Sequence, residues 1–170
     1  MKDLNRLIRY LAYTLELLVL FMVQETPGLL PAVAGVRPVL LLPAAVAIAM
    51  FEEEVPALAF GIVAGLLCDF GFSRVLGFHA LVLGALCFFV SLLVRTRMQA
   101  NLVTAALNGA WALALTLGAQ WLFFYYFRYS QPGFAFRSHY LPKYLYTLLF
   151  IPLLYLLNRG LSGALDPAEK

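Results

Sequence analysis

The side chains in this sequence that could do acid–base, nucleophilic or metal chemistry are few and far apart. His79 and His139 lie in separate stretches, and neither belongs to an HExxH or similar metal-binding spacing. Cys68 and Cys87 lie within apolar runs and lack the CxxC spacing of metal-binding or redox cysteines. No serine occupies a nucleophile elbow, and no glycine-rich phosphate loop is present. We therefore expect a protein that is not an enzyme and that has no cofactor or metal site.

Two polar residues interrupt apolar stretches in which a membrane would offer them no water. Glu16 lies near the middle of the first apolar run, among leucines and without a neighbouring counter-charge. An ionisable group in hydrocarbon is costly, so Glu16 must face the bundle interior, a cavity or a partner, and we favour a structural hydrogen bond. Asn108 lies in the middle of a later run and suits a hydrogen bond between helices.

Small residues recur at a spacing of four along one stretch. Ala57, Gly61, Gly65 and Asp69 therefore share one face of a helix. Such a face lets two backbones approach closely, and close packing drives helix association in lipid. We expect this face to pack against another helix of the same chain; the alternative is a packing face for the helix of a partner.

Asp69 lies at the end of this stretch, just before a short turn. Arg74 follows five residues later, so the two side chains could form an ion pair across the turn. The structural interpretation of Asp69 is a local cap that stabilises the turn, and the alternative is a contact to another protein or a proton-linked site.

The composition indicates a membrane protein. Of the 170 residues, 63% are hydrophobic and 12% are charged, whereas a soluble domain has roughly 25% charged and roughly half apolar residues. Several apolar runs approach or exceed the roughly 20 residues that a bilayer span needs. The net charge of +3 comes from basic residues that lie singly between these runs. We therefore expect a chain embedded in a lipid bilayer that does not bind nucleic acid.

The pattern predicts one all-α membrane domain over residues 1–170. Its six transmembrane helices are predicted over residues 7–23, 39–51, 55–70, 75–94, 101–127 and 144–157. The first resembles a retained anchor rather than a cleaved signal peptide, because no small-x-small cleavage site follows it. The second is short for a full span at about 1.5 Å per residue.

The lysines and arginines between the helices predict the orientation. Six crossings place both termini on one side. That side carries seven of the twelve basic residues, namely Lys2, Arg6, Arg9, Arg95, Arg97, Arg159 and Lys170. We therefore expect both termini in the cytoplasm.

A longer pattern around the small-residue face resembles a known family. It reads Gly61-x-x-x-Gly65-Leu66-Leu67-x-Asp69, then, after a short turn, Leu76-Gly77-x-His79-Ala80-Leu81. This order resembles the core signature of the MreD family of bacterial rod shape-determining membrane proteins. The earlier Arg37-Pro38-Val39-Leu40-Leu41 is similar to that family's entry to helix two, except that valine replaces the usual acidic residue. The resemblance covers residues 37–94.

The resemblance implies a role that the residues alone do not. It implies that this chain, like the MreD proteins, is a non-catalytic scaffold of the rod complex, or elongasome, in the bacterial inner membrane and supports peptidoglycan synthesis and cell shape. They bind the bitopic protein MreC and act with MreB filaments, a glycosyltransferase and a transpeptidase. Their fold is similar to that of the substrate-binding subunits of energy-coupling-factor transporters. The candidate partner interface is then Ala57, Gly61, Gly65, Asp69, Gly77 and His79.

The main alternative is a vitamin-binding subunit of such a transporter. It would need a polar-lined cavity open to the outside and a small-residue motif on the first helix for its energising partner. In that helix Ala12 stands alone among large side chains, which counts against this alternative. A membrane enzyme would need clustered polar residues on one membrane face, and the sequence does not show them.

Overall fold

A computed structural model describes residues 2–33, 35–72, 75–126 and 132–165. As predicted, the regular structure in these ranges is helical. The helices are α1 (Lys2–Glu25), α2 (Leu41–Phe51), α3 (Glu54–Phe72), α4 (Phe78–Thr96), α5 (Leu102–Trp121), the short α6 (Pro132–Ala135), α7 (Leu141–Leu148) and α8 (Ile151–Leu165). Wider π-helical turns follow α5 and α6, at Leu122–Tyr126 and Phe136–Tyr140.

Five segments within the described ranges are long and apolar enough to cross a membrane. They are Leu4–Glu25, Glu54–Gly71, Phe78–Thr96, Leu102–Phe124 and Phe136–Ala164. The predicted second helix is the exception, because α2 has only 11 residues. Every residue from Leu41 to Met50 is buried, as expected for a helix that is hydrophobic on all sides. Helix α2 therefore forms the centre of the bundle.

The residues directly before α2 are buried but not part of the helix, so α2 begins at Leu41, two residues later than the predicted helix 39–51. The Leu40 amide donates to Gln24 Oε1 on α1 at 2.8 Å, and the Val39 amide donates to Thr147 Oγ1 on α7 at 3.1 Å. Buried backbone amides need hydrogen-bond partners, and two other helices of the chain supply them here. At about 1.5 Å per residue, the 11 residues of α2 cover roughly 16 Å, about half of a typical hydrocarbon core.

The contacts at the two ends of α2 set its direction. Leu40 meets Gln24 at the end of α1, whereas Glu52, after α2, pairs with Arg9 near the start of α1. The two helices are therefore antiparallel. Arg95, at the end of α4, pairs with Glu53 in the same region. The start of α1, the α2–α3 turn and the end of α4 thus lie at one end of the bundle.

The last predicted helix, 144–157, is divided in two. Helix α7 ends at Leu148, and α8 begins at Ile151 after a two-residue turn. Pro152 explains the break, because proline lacks an amide hydrogen and its ring clashes with the carbonyl four residues earlier, here that of Leu148. Helix α5, predicted to reach residue 127, gives way to the π-helical turn at Leu122; Phe127 lies outside the described residues.

Candidate functional site

The small-residue face of α3 packs against α4 of the same chain. A Cβ atom added to Gly61 would lie 2.7 Å from the Leu83 carbonyl oxygen. One added to Gly65 would overlap the backbone of His79 and Ala80. Both glycines therefore allow an approach of two backbones that no larger residue permits. A partner helix could reach this face only by displacing α4, so the structure leaves these glycines no free surface for a partner.

Gly65→Ala is expected to destabilise the protein by about 1–3 kcal/mol, the usual cost of overpacking. The added methyl group meets backbone atoms, which cannot move aside as a flexible side chain would. Gly118→Ala is the matched control, because a Cβ atom there has no neighbour within 4 Å among the described residues. Thermal unfolding of both variants in detergent tests this; equal midpoints would contradict the packing.

Asp69 lies at the end of the same face and caps α4. Its carboxylate is 1% exposed and accepts hydrogen bonds from the amides of Gly77 at 2.8 Å, His79 at 3.1 Å and Ala80 at 3.3 Å. The imidazole Nδ1 of His79 lies 2.8 Å from Asp69 Oδ1. The first amides of a helix lack intrahelical partners, and the positive end of the helix dipole favours a carboxylate. Asp69 thus joins α3 to the start of α4.

A local cap at the turn was one expectation for Asp69, and these hydrogen bonds confirm a cap; the ion pair expected between Asp69 and Arg74 stays a prediction. Arg74 lies outside the described residues, and the described partners of Asp69 all belong to the start of α4. The capping explains why α4 begins at Phe78 rather than at the predicted residue 75. Gly77 precedes the helix with a φ of +94°, a left-handed conformation that favours glycine. A carboxylate–imidazole pair can do acid–base chemistry, but here both carboxylate oxygens hold backbone amides.

A second polar cluster lies at the opposite end of the bundle. Arg9 on α1 forms an ion pair with Glu52 after α2, with Nε 2.6 Å from Oε1, and its Nη2 donates a hydrogen bond to Oε2 at 3.3 Å. The side chains are 13% and 1% exposed. Arg6 and Arg95 both approach the exposed Glu53, at 3.2 Å and 3.4 Å. The cluster joins α1, the α2–α3 turn and α4, and the Ser91 hydroxyl strengthens it by donating to the Glu52 carbonyl at 2.7 Å.

The ion pairs of the glutamates in the α2–α3 turn were not predicted from the sequence. The orientation count did, however, assign Arg6, Arg9 and Arg95 to the same side as this turn. Opposite charges on one side of a membrane bundle were therefore an available signal.

The polar side chains within the apolar helices make only some of the hydrogen bonds that they could form. Asn158 of α8 donates from Nδ2 to Glu16 Oε1 at 2.8 Å, which joins α8 to α1. Glu16 Oε2 and Asn158 Oδ1 are buried and accept no hydrogen bond within the described ranges. Asn108 is 6% exposed, and its Nδ2 makes no hydrogen bond to the described part of the chain. Glu16 thus makes one structural hydrogen bond to another helix, and its second carboxylate oxygen has no hydrogen-bond partner among the described residues.

A cavity of about 310 Å³ lies at the end of α1, opposite the Arg9–Glu52 cluster. Gln24 and Val39 form part of its buried wall. Glu25 and Arg37 contribute exposed side chains, and Lys143 of α7 is half-buried beside them. This cavity could not be predicted from the sequence, because its wall is assembled from three segments that are distant in the chain.

No group of three or more His, Cys, Asp and Glu side chains within the described ranges is arranged to hold a metal ion. The cavity at the end of α1 offers polar side chains to a ligand, whereas the Asp69 carboxylate at the α3–α4 contact binds backbone amides.

Residues 5–162 match the family model described as rod shape-determining protein MreD. The chain belongs to the MreD family. It is thus a rod shape-determining, multi-pass membrane protein of a family of structural proteins, and the family is associated with the rod complex and partners such as MreC. No curated protein and no solved structure matches the chain significantly. The MreD signature residues Gly61, Gly65, Asp69, Gly77 and His79 all lie where α3 meets α4.

Proposed function

We propose that this chain is a non-catalytic membrane scaffold of the rod complex. It binds an MreC-like bitopic membrane protein in the bacterial inner membrane, with both of its own termini in the cytoplasm, and supports peptidoglycan synthesis and cell-shape maintenance. The family match over residues 5–162 carries this proposal. The buried position of Asp69 and Glu52, each bonded to other helices of the chain, supports a structural rather than a catalytic task for these carboxylates.

The most open helix surface is on α1, where we place the partner contact. Only 22% of the residues in the α1 span are buried by the rest of the chain, against 39–50% for α3, α4 and α5. The outward side chains alternate at spacings of four and three, and they are Leu4, Ile8, Leu11, Leu15, Leu18 and Met22. We call this row the leucine seam.

The spacing of the leucine seam suits a second helix. Residues at alternating spacings of four and three form the contact line of left-handed helix pairs. All six side chains are 41–68% exposed. In lipid, the gain comes from the fit of the side chains rather than from exclusion of water. A single-span partner with small or branched residues at the facing positions would fill this row.

The triple change Leu11→Ala, Leu15→Ala and Leu18→Ala is expected to reduce co-purification of an MreC-like protein by roughly tenfold, which corresponds to about 1.4 kcal/mol. The changes remove exposed side chains, so the bundle itself should keep its unfolding temperature. The matched control changes Val103, Leu107 and Leu115 of α5, which are 70%, 58% and 44% exposed. Equal co-purification of both variants would move the contact away from α1; no co-purification with the unchanged chain would contradict the scaffold.

The second candidate is a vitamin-binding subunit of an energy-coupling-factor transporter, whose fold we propose to be similar. The polar-walled cavity at the end of α1 is the observation that favours it. The large side chains of the leucine seam count against it, because such a subunit needs small residues on the first helix. Binding of a vitamin by the purified chain alone would favour the transporter.

A further inference from the structure

We propose that the cavity at the end of α1 binds the phosphate group of an anionic ligand. A half-satisfied amide of Gln24, a positive balance of charge and a position at the ends of the helices each support this site. It is independent of the scaffold role, since the cavity lies apart from the leucine seam.

The orientation of the Gln24 amide is fixed by the backbone. Its Oε1 accepts the Leu40 amide hydrogen at 2.8 Å, so the reversed amide would set two donors against each other. The residue is 5% exposed, and its Nε2 has no hydrogen-bond partner among the described residues. Buried donors are rarely left in this state, and Gln24 lines the cavity. A ligand with acceptor oxygens would satisfy this group.

The charges around the cavity favour an anion. Arg37 and Lys143 contribute two positive charges, and Glu25 contributes one negative charge. The Glu25 carboxylate lies against Gly71 of α3, where an added Cβ atom would overlap it. His139 is the remaining titratable side chain of the wall. The balance is thus one positive charge with His139 neutral, and guanidinium, ammonium and amide groups together match the oxygens of a phosphate.

The position of the cavity brings it close to lipid headgroups. Gln24 and Glu25 are the last residues of α1, Val39 precedes α2, and Lys143 lies in the first turn of α7. Helix ends of this kind lie at the membrane–water interface, where headgroup phosphates are concentrated. A lipid phosphodiester and a soluble phosphate could both reach the cavity, and they share the chemistry that the wall recognises.

The test uses the purified full chain and two probes. Native mass spectrometry measures retention of phosphatidylglycerol against phosphatidylcholine, and thermal unfolding measures stabilisation by inorganic phosphate. Retention of phosphatidylglycerol without a phosphate effect would identify a lipid headgroup, and stabilisation by phosphate alone would identify a soluble anion. Either result supports the site. Binding of neither probe, or of acidic peptides only, would overturn it.

Three variants separate a site from general attraction to anions. Arg37→Gln is expected to weaken binding by roughly tenfold, as loss of one charge-assisted hydrogen bond does. Glu25→Gln removes the negative charge and is expected to tighten binding, which a merely structural role would not produce. Arg137→Gln is the matched control, because Arg137 is exposed and does not line the cavity. Equal weakening by Arg37→Gln and Arg137→Gln would overturn the proposal.

Discussion

Arg9→Ala is expected to destabilise the protein by about 3–5 kcal/mol, the usual cost of breaking a buried ion pair from one side. The Glu52 side chain is 1% exposed, so removal of the guanidinium leaves a carboxylate out of contact with water. The variant loses the ion-pair contact of 2.6 Å between Nε and Oε1 and the hydrogen bond of 3.3 Å from Nη2 to Oε2. Unfolding of the purified variant in increasing concentrations of dodecyl sulfate measures the loss.

Arg6→Ala is the matched control for this prediction. Arg6 is on the same helix and pairs with Glu53, but both side chains are about half exposed, at 49% and 53%. Exposed pairs contribute about 0–1 kcal/mol. The double variant Arg9→Ala with Glu52→Ala should recover part of the loss, because no buried charge then remains unpaired. Similar losses for Arg9→Ala and Arg6→Ala would show that burial does not strengthen the Arg9–Glu52 pair.

The long apolar helices could be predicted from the sequence because their signal is local. Runs of apolar residues bounded by charged turns give α1, α3, α4 and α5 to within a few residues at most ends. The end of α7 was missed although Pro152 stood in the predicted helix. The ring of Pro152 clashes with the carbonyl of Leu148, and this local rule indicates a break in the helix.

The centre of the bundle was harder to predict. The late start of α2 depends on Gln24 and Thr147, which bind the amides of Leu40 and Val39 from two other helices. Nothing near residue 39 carries that information. For Asp69, the sequence suggested a cap at the turn but did not indicate which amides at the start of α4 it binds. The residue types of the donors carry no signal for such bonds, because every residue except proline has a backbone amide hydrogen.

The sequence of α4 carried a signal that it packs against the small-residue face of α3. Ala80, Gly84 and Cys87 recur at spacings of four and three, so α4 also presents a face of small residues. Gly84 packs against Ile62 of α3 in the same contact. Two small-residue faces on consecutive helices joined by a short turn indicate packing against each other. This pairing supports the favoured expectation that the small-residue face packs against a helix of the same chain. The leucine seam is then the candidate surface for a partner.

Asp69→Ala is expected to cost about 3–5 kcal/mol, because several buried donors lose their acceptor at once and each costs about 1–3 kcal/mol. These are the amides of Gly77, His79 and Ala80 and the imidazole of His79. A helix cap alone contributes about 0.5–2 kcal/mol, so a larger loss would show that the carboxylate also joins α3 to α4. The same detergent unfolding measures it.

His79→Ala and Asp69→Asn divide this loss into its parts. His79→Ala removes one of the four bonds and leaves the carboxylate on the amides, so its cost should be smaller than that of Asp69→Ala. Asp69→Asn keeps the shape but replaces one acceptor oxygen by an NH₂ group that faces amide donors, so it should fall between them. Because Gly65 packs beside His79 and Ala80, a weakened cap should also loosen the contact that Gly65 permits. If Asp69→Ala and His79→Ala lose equal amounts of stability, the imidazole bond, rather than capping of the backbone, holds α3 and α4 together.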